Sequence, residues 1–136
     1  SSGGNLLQPH MLCRGAVVCD VSRPRDVSQQ VSEVRDDVLV IDGGLVKVPG
    51  EVNFNFNYGL PPELTYGCMA ETMTLAFEGL YTDYTIGKQL TLPQVRKIDT
   101  LATKHGFELA ALRSFERKLD DARIQRVREM ARAGGG

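Results

Sequence analysis

At 136 residues, with 42% hydrophobic and 24% charged side chains and a formal net charge of −1, the chain has the size and balance of one ordinary domain. Near-neutral charge makes no case for nucleic acid, no apolar run is long enough to span a bilayer, and without a cleavable signal pattern a cytoplasmic protein is expected. Cys13, Cys19 and Cys68 have no CxxC metal spacing and cannot all pair within one chain, so reduced thiols are expected.

The chain opens Ser1-Ser2-Gly3-Gly4 without an initiator methionine and closes Gly134-Gly135-Gly136, ends that read as cut or processed. Two short apolar runs, 16–21 and 38–42, each finish near an aspartate, as buried parallel strands do. Between them Val27, Val31 and Val34 keep helical spacing, enough for a short crossover helix in a right-handed connection. After Gly43-Gly44, Val52, Phe54, Phe56 and Tyr58 alternate with Asn53, Asn55 and Asn57, which predicts an edge strand with one polar face.

Next comes Tyr66-Gly67-Cys68-Met69-Ala70-Glu71-Thr72-Met73, opening a helix whose apolar face is set by Met69, Met73, Ala76, Phe77 and Leu80. The first amides of a helix lack intrahelical partners and carry the positive end of its dipole, so a thiolate there is favoured as a nucleophile. The alternative is that Cys68 is a small apolar group packed beneath the helix, as unpaired cysteines often are. Glu71, one turn on, could influence the thiol or serve only as a first-turn acid.

Thr91 and Gln94 form a capping box with Pro93 in the first turn and a stripe of Val95, Ile98, Leu101 and Ala102, ended by Gly106. A last helix from about Ser114 to Ala133 carries Leu119, Val127 and Met130 on one side and an excess of basic residues elsewhere, mostly solvated. His10 and His105 are acid–base candidates by residue type, although His105 beside a C-cap glycine is explained by the helix dipole alone.

Together these elements predict an α/β chain: the C-terminal half of a Rossmann-type doubly wound parallel sheet followed by C-terminal helices. The divisions are 1–60 for the second half of an NAD(P)-binding domain, 61–113 for a helical region carrying Cys68, and 114–136 for a basic amphipathic helix with a glycine tail. No GxGxxG turn is present, and neither the Gly3-Gly4 nor the Gly43-Gly44 pair replaces it, so the first half of such a domain is expected to be missing.

Five segments in order, Ser1-Ser2-Gly3-Gly4, Asp20 through Val27 with its Arg23-Pro24-Arg25-Asp26 run, Ile41-Asp42-Gly43-Gly44, Gly67-Cys68-Met69-Ala70-Glu71-Thr72 and Lys104-His105-Gly106-Phe107, resemble the C-terminal part of long-chain acyl-[acyl-carrier-protein] reductases and their shikimate/quinate dehydrogenase-like relatives. The resemblance runs over roughly the first 115 positions, and ordered motifs are more specific than a lone glycine pattern. It implies an NADPH-dependent enzyme in which a cysteine, matched by Cys68, takes a fatty acyl group from acyl carrier protein or coenzyme A as a thioester that hydride then releases as an aldehyde. It also implies cofactor contacts: Ser1, Ser2 and Gly3 match a loop beside the nicotinamide, and Asp42 and Gly43 stand at a strand's carboxyl end, where such sheets bind ligands and where a glycine pair equally makes a sharp turn.

The segment around Asp20, Arg23 and Arg25 also resembles glutamyl-tRNA reductase, another enzyme with a cysteine-bound thioester, but that family's nucleophile lies in an N-terminal domain and gives Cys68 no role. Simple loop solvation accounts equally for the two arginines. From a different class, the chain reads as a non-catalytic half-domain that folds only with its partner half, prone to self-association through uncovered apolar faces, or as one whose basic last helix docks an acidic carrier.

Overall fold

The computed structural model describes residues 4–87 and 89–133. Its elements are β1 (Val17–Asp20), α1 (Gln29–Val34), β2 (Leu39–Asp42), β3 (Leu45–Lys47), β4 (Leu64–Tyr66), α2 (Gly67–Phe77), α3 (Leu92–Lys104), β5 (Glu108–Leu109), β6 (Arg113–Ser114), β7 (Arg117–Lys118) and α4 (Asp121–Ala133). They form two units, one built from 4–43 together with 111–133, the other from Gly44–Ala110.

Unit 1 is organised by β1 and β2, which run parallel in register from Val17↔Leu39 to Asp20↔Asp42 and are joined through α1, as the apolar runs predict. Ser28 caps α1 by accepting the amide of Gln30 at 3.3 Å, and Val27 and Val31 are buried with Val38 and Val40 in one cluster. Val34 lies outside that cluster, exposed at the helix end, because α1 stops before its apolar stripe can continue. The parallel sheet has two strands among the described residues, and one of its faces carries exposed Val17, Cys19 and Val21 at the period of two.

The predicted continuous helix from Ser114 begins only at Asp121, where the Asp120 carboxylate accepts the amide of Arg123 at 2.9 Å. Before it, β6 and β7 form a hairpin whose two turn residues, Phe115 (φ 47°) and Glu116 (φ 69°), are both left-handed. Such turns normally take Asn or Gly. Here the tip is held from outside: the Glu116 amide donates to Asp42 at 2.8 Å, and the Arg25 guanidinium lies 5.5 Å from the Phe115 ring centre. Val127 is the buried residue of α4, whose remaining surface is largely exposed as predicted.

Unit 2 is an antiparallel sheet in the order β4-β3-β5 with α2 and α3. Its core falls in two clusters, Leu45, Leu64 and Ala110 in one, Val48, Ala70 and Phe107 in the other. The edge strand predicted over 52–58 is instead a series of turns. Asn53 accepts the amide of Asn55 and Asn57 that of Gly59, each at 2.8 Å, so the asparagines satisfy their own backbone and displace a sheet ladder. The aromatics cluster: Tyr58 stands 5.5 Å from Phe54 and 5.2 Å from Phe56, its hydroxyl donating to the Leu64 carbonyl at 2.7 Å.

The capping box of α3 forms as the sequence predicts, with Gly106 beyond its end at φ 83°. The buried face of α2 differs from the predicted one. Ala70 and Thr74 are buried, whereas Ala76 and Phe77 are exposed, because the helix lies on the sheet along 70–74 and ends at Phe77.

Candidate functional site at the start of α2

Strand β4 runs directly into α2, so the chain turns from sheet to helix at Gly67 and Cys68 falls in the first helical turn. The Gly67 amide is used, donating to the Gly44 carbonyl at 2.7 Å. Tyr66 stands at the N-cap without a side-chain cap bond, which leaves the next amides of the first turn to solvent or a ligand. Cys68 itself is exposed, so it is not the buried packing group that its residue type could have been. Thr72, one turn on, donates its hydroxyl to the Cys68 carbonyl at 3.0 Å, fixing these residues on one stripe of the helix.

Glu71 does not turn to the thiol: its carboxylate accepts the Thr85 hydroxyl. His105 is the C-cap of α3 and meets Glu78 through Nε2 at 2.6 Å, with Lys104 Nζ at the same distance from the same oxygen. The hydrogen bonds from Lys104 and then His105 hold the Glu78 carboxyl below its usual range. His10 lies in a short 3-10 turn of unit 1 and is exposed.

Ser1, Ser2 and Gly3 lie outside the described residues. Asp42 is at the carboxyl end of β2 as expected, side by side with Asp20 across the parallel register. Both carboxylates are buried and internally engaged. One Asp42 oxygen takes the Arg25 guanidinium at 3.1 and 3.2 Å, and the other takes the Glu116 amide. Asp20 accepts the amides of Ser22 at 3.0 Å and Val27 at 2.9 Å, closing the loop between β1 and α1. The Gly43 amide donates to the Asp20 carbonyl at 2.9 Å, and a Cβ at Gly43 would come within 2.6 Å of Cys19 Sγ and Val21 Cγ1. Asp42 and Gly43 therefore take part in holding unit 1 together.

Sequence reasoning left Arg25 open to plain solvation. The structure instead makes it the centre of a latch, bonded to Asp42 and Glu116 and stacked on Phe115. The sequence signals were its position after a strand-end aspartate and its place in the Arg23-Pro24-Arg25-Asp26 run. Among the described residues no three His, Cys, Asp or Glu side chains group as a metal site, and no helix is long and apolar enough to cross a membrane.

The site thus defines a mixed α/β chain that displays an accessible thiol at an uncapped helix start. No family model matches it. Over 127 residues it is 37% identical to a Serratia protein named aminotransferase PigE, a match covering 91% of this chain and 15% of that protein. Over 114 residues it is 26% identical to the long-chain acyl-[acyl-carrier-protein] reductase of Synechococcus elongatus, covering 80% of this chain and 33% of the reductase. The chain spans a third or less of the length of either relative.

Proposed function

We propose that this chain is the acyl-accepting part of a reductase acting on fatty acyl thioesters of acyl carrier protein or coenzyme A, with Cys68 as the acceptor. The observation that carries the reading is the exposed Cys68 in the first turn of α2, within a chain similar over 80% of its length to a protein named long-chain acyl-[acyl-carrier-protein] reductase. The Cys68 thiolate attacks the thioester carbonyl carbon. A carbon–sulfur bond to Cys68 forms as the carrier's carbon–sulfur bond breaks, and the carrier sulfur leaves as a thiolate that takes up a proton. First-turn amides of α2, which no side chain caps, would stabilise the oxyanion formed on the way.

Reduction to the aldehyde would call for NADPH, while Asp42 and Gly43 are already bonded within unit 1. The reading therefore assigns the reductant to other parts of the longer protein. Amino-group transfer, the activity in the Serratia relative's name, is a weaker reading: the match spans 15% of that protein, and every described lysine is exposed, whereas amine catalysis favours a desolvated one.

The test is to incubate the longer protein with radiolabelled hexadecanoyl thioester without reductant and compare it with its Cys68→Ala variant. Protein-bound label that hydroxylamine releases and that the variant lacks is the expected result. Equal label in both proteins, or none in either, refutes the assignment.

A further inference from the structure

Beyond Cys68, α2 continues into a groove of about 420 Å³ between the helix and the 80–86 loop, within the 300–1,000 Å³ span usual for small-molecule sites. Leu75, Ala76, Leu80, Tyr81, Tyr84 and Ile86 share its walls with polar side chains that include Glu71, Thr72, Thr82, Asp83 and Thr85, and Cys68 lies one turn before Thr72, outside the lining. Three hydrogen bonds fix its loop wall. At one end the Glu71 carboxylate accepts the Thr85 hydroxyl, and at the other Tyr84 is fixed to α3, its hydroxyl donating to the Gln94 carbonyl at 3.1 Å and its carbonyl accepting Gln94 Nε2 at 2.9 Å. The loop is thereby fixed between α2 and α3, with Ile86 at 64% and Tyr81 at 84% exposure.

Cys68, Thr72, Leu75 and Ala76 follow one another at steps of four, three and one along α2, the spacing of a single helical stripe. Leu75 lies roughly 10 Å along the axis from Cys68 at 1.5 Å per residue. A group bonded to Cys68 Sγ and directed along that stripe meets polar Thr72 first and then Leu75 and Ala76 on the helix, with Ile86 on the facing loop, the order of a thioester head followed by its alkyl chain.

We propose that this groove holds the alkyl chain of the acyl group on Cys68 and sets the chain length the protein accepts, an inference that rests on the acyl-acceptor reading above. Ala76 is exposed on the groove wall, so a larger side chain there fills the groove without entering the core. The experiment uses the longer protein and measures second-order labelling of Cys68 by hexadecanoyl and by butanoyl thioesters, with helix content checked by circular dichroism. Ala76→Trp should lower the hexadecanoyl-to-butanoyl rate ratio about tenfold, since each methylene excluded from an apolar wall loses its burial. Ile86→Ser, on the opposite wall, should lower the same ratio in the same direction. An unchanged ratio in both variants, with Cys68 still labelled, overturns the groove assignment and leaves the acceptor role standing. Absence of label from Cys68 with either thioester in the unsubstituted protein overturns the acceptor role, and the groove assignment falls with it.

Discussion

Replacing Gly15 by alanine tests the packing of unit 1 most directly. Gly15 has φ 77°, and a Cβ there would lie 2.5 Å from Ala131 Cα, 2.7 Å from its Cβ and 2.8 Å from its nitrogen. Helix α4 thus rests against the bare backbone at Gly15, and the clash is with helix backbone that cannot rotate away. Left-handed geometry costs alanine about 1–2 kcal/mol, and forced displacement of a packed neighbour adds about 1–3 kcal/mol. Gly4→Ala is the control: it is also left-handed at φ 55° and in the same unit, but its Cβ would meet only ordinary contacts, the nearest 3.5 Å away. Stiffening of the unfolded chain offsets both variants by a similar ~0.4–1 kcal/mol, so the difference between them isolates the α4 contact at about 1–3 kcal/mol. The chain has no tryptophan, so urea unfolding is followed by far-ultraviolet circular dichroism. If the two variants match within about 0.5 kcal/mol, the ordinary limit for surface changes, α4 does not pack on Gly15.

Thr74 is fully buried and its hydroxyl has no hydrogen-bond partner among the described residues, so Thr74→Val should be neutral or stabilise by about 0.5–2 kcal/mol in the same urea assay; a loss of stability would reveal a partner for that hydroxyl. The depressed Glu78 carboxyl gives a signed pH dependence. Its contribution is fully present above the ordinary carboxylate value of 4.5 and is lost as pH falls through the lower folded value. Urea midpoints measured towards acid should fall less steeply in Glu78→Gln, and identical slopes would show that the Lys104 and His105 bonds do not form.

Local signals made some of this fold legible. The capping box and glycine stop of α3 satisfy its end groups within a few residues of sequence, and the valine-rich runs of β1 and β2 have few alternatives to burial. Reading failed where long-range contacts decide. The period-two pattern of 52–58 lost to asparagine side chains that bond their own backbone, and the break at Phe115-Glu116 exists because Asp42 and Arg25, far away in sequence, hold a turn those residues would not choose. At the candidate site, the placement of Cys68 in the first turn follows from a strand running straight into a helix. The groove beyond it is bounded by a loop fixed through the Thr85 and Tyr84 bonds, which no local pattern announces.

Unit 2 begins and ends at one place, where the Ala110 amide donates to the Leu45 carbonyl at 3.3 Å, while unit 1 is assembled from chain on either side of it. During synthesis the inserted unit can therefore close on itself while its host waits. The valine cluster around α1 can gather early, but the Asp42 latch needs Glu116, and the carbonyls of Arg35 and Val38 need the Arg123 guanidinium that bonds them at 3.2 and 3.4 Å. A chain ending at residue 110 would thus carry a finished guest domain inside an unfinished host, and residues 111–133 supplied as a separate peptide would be the piece that completes it.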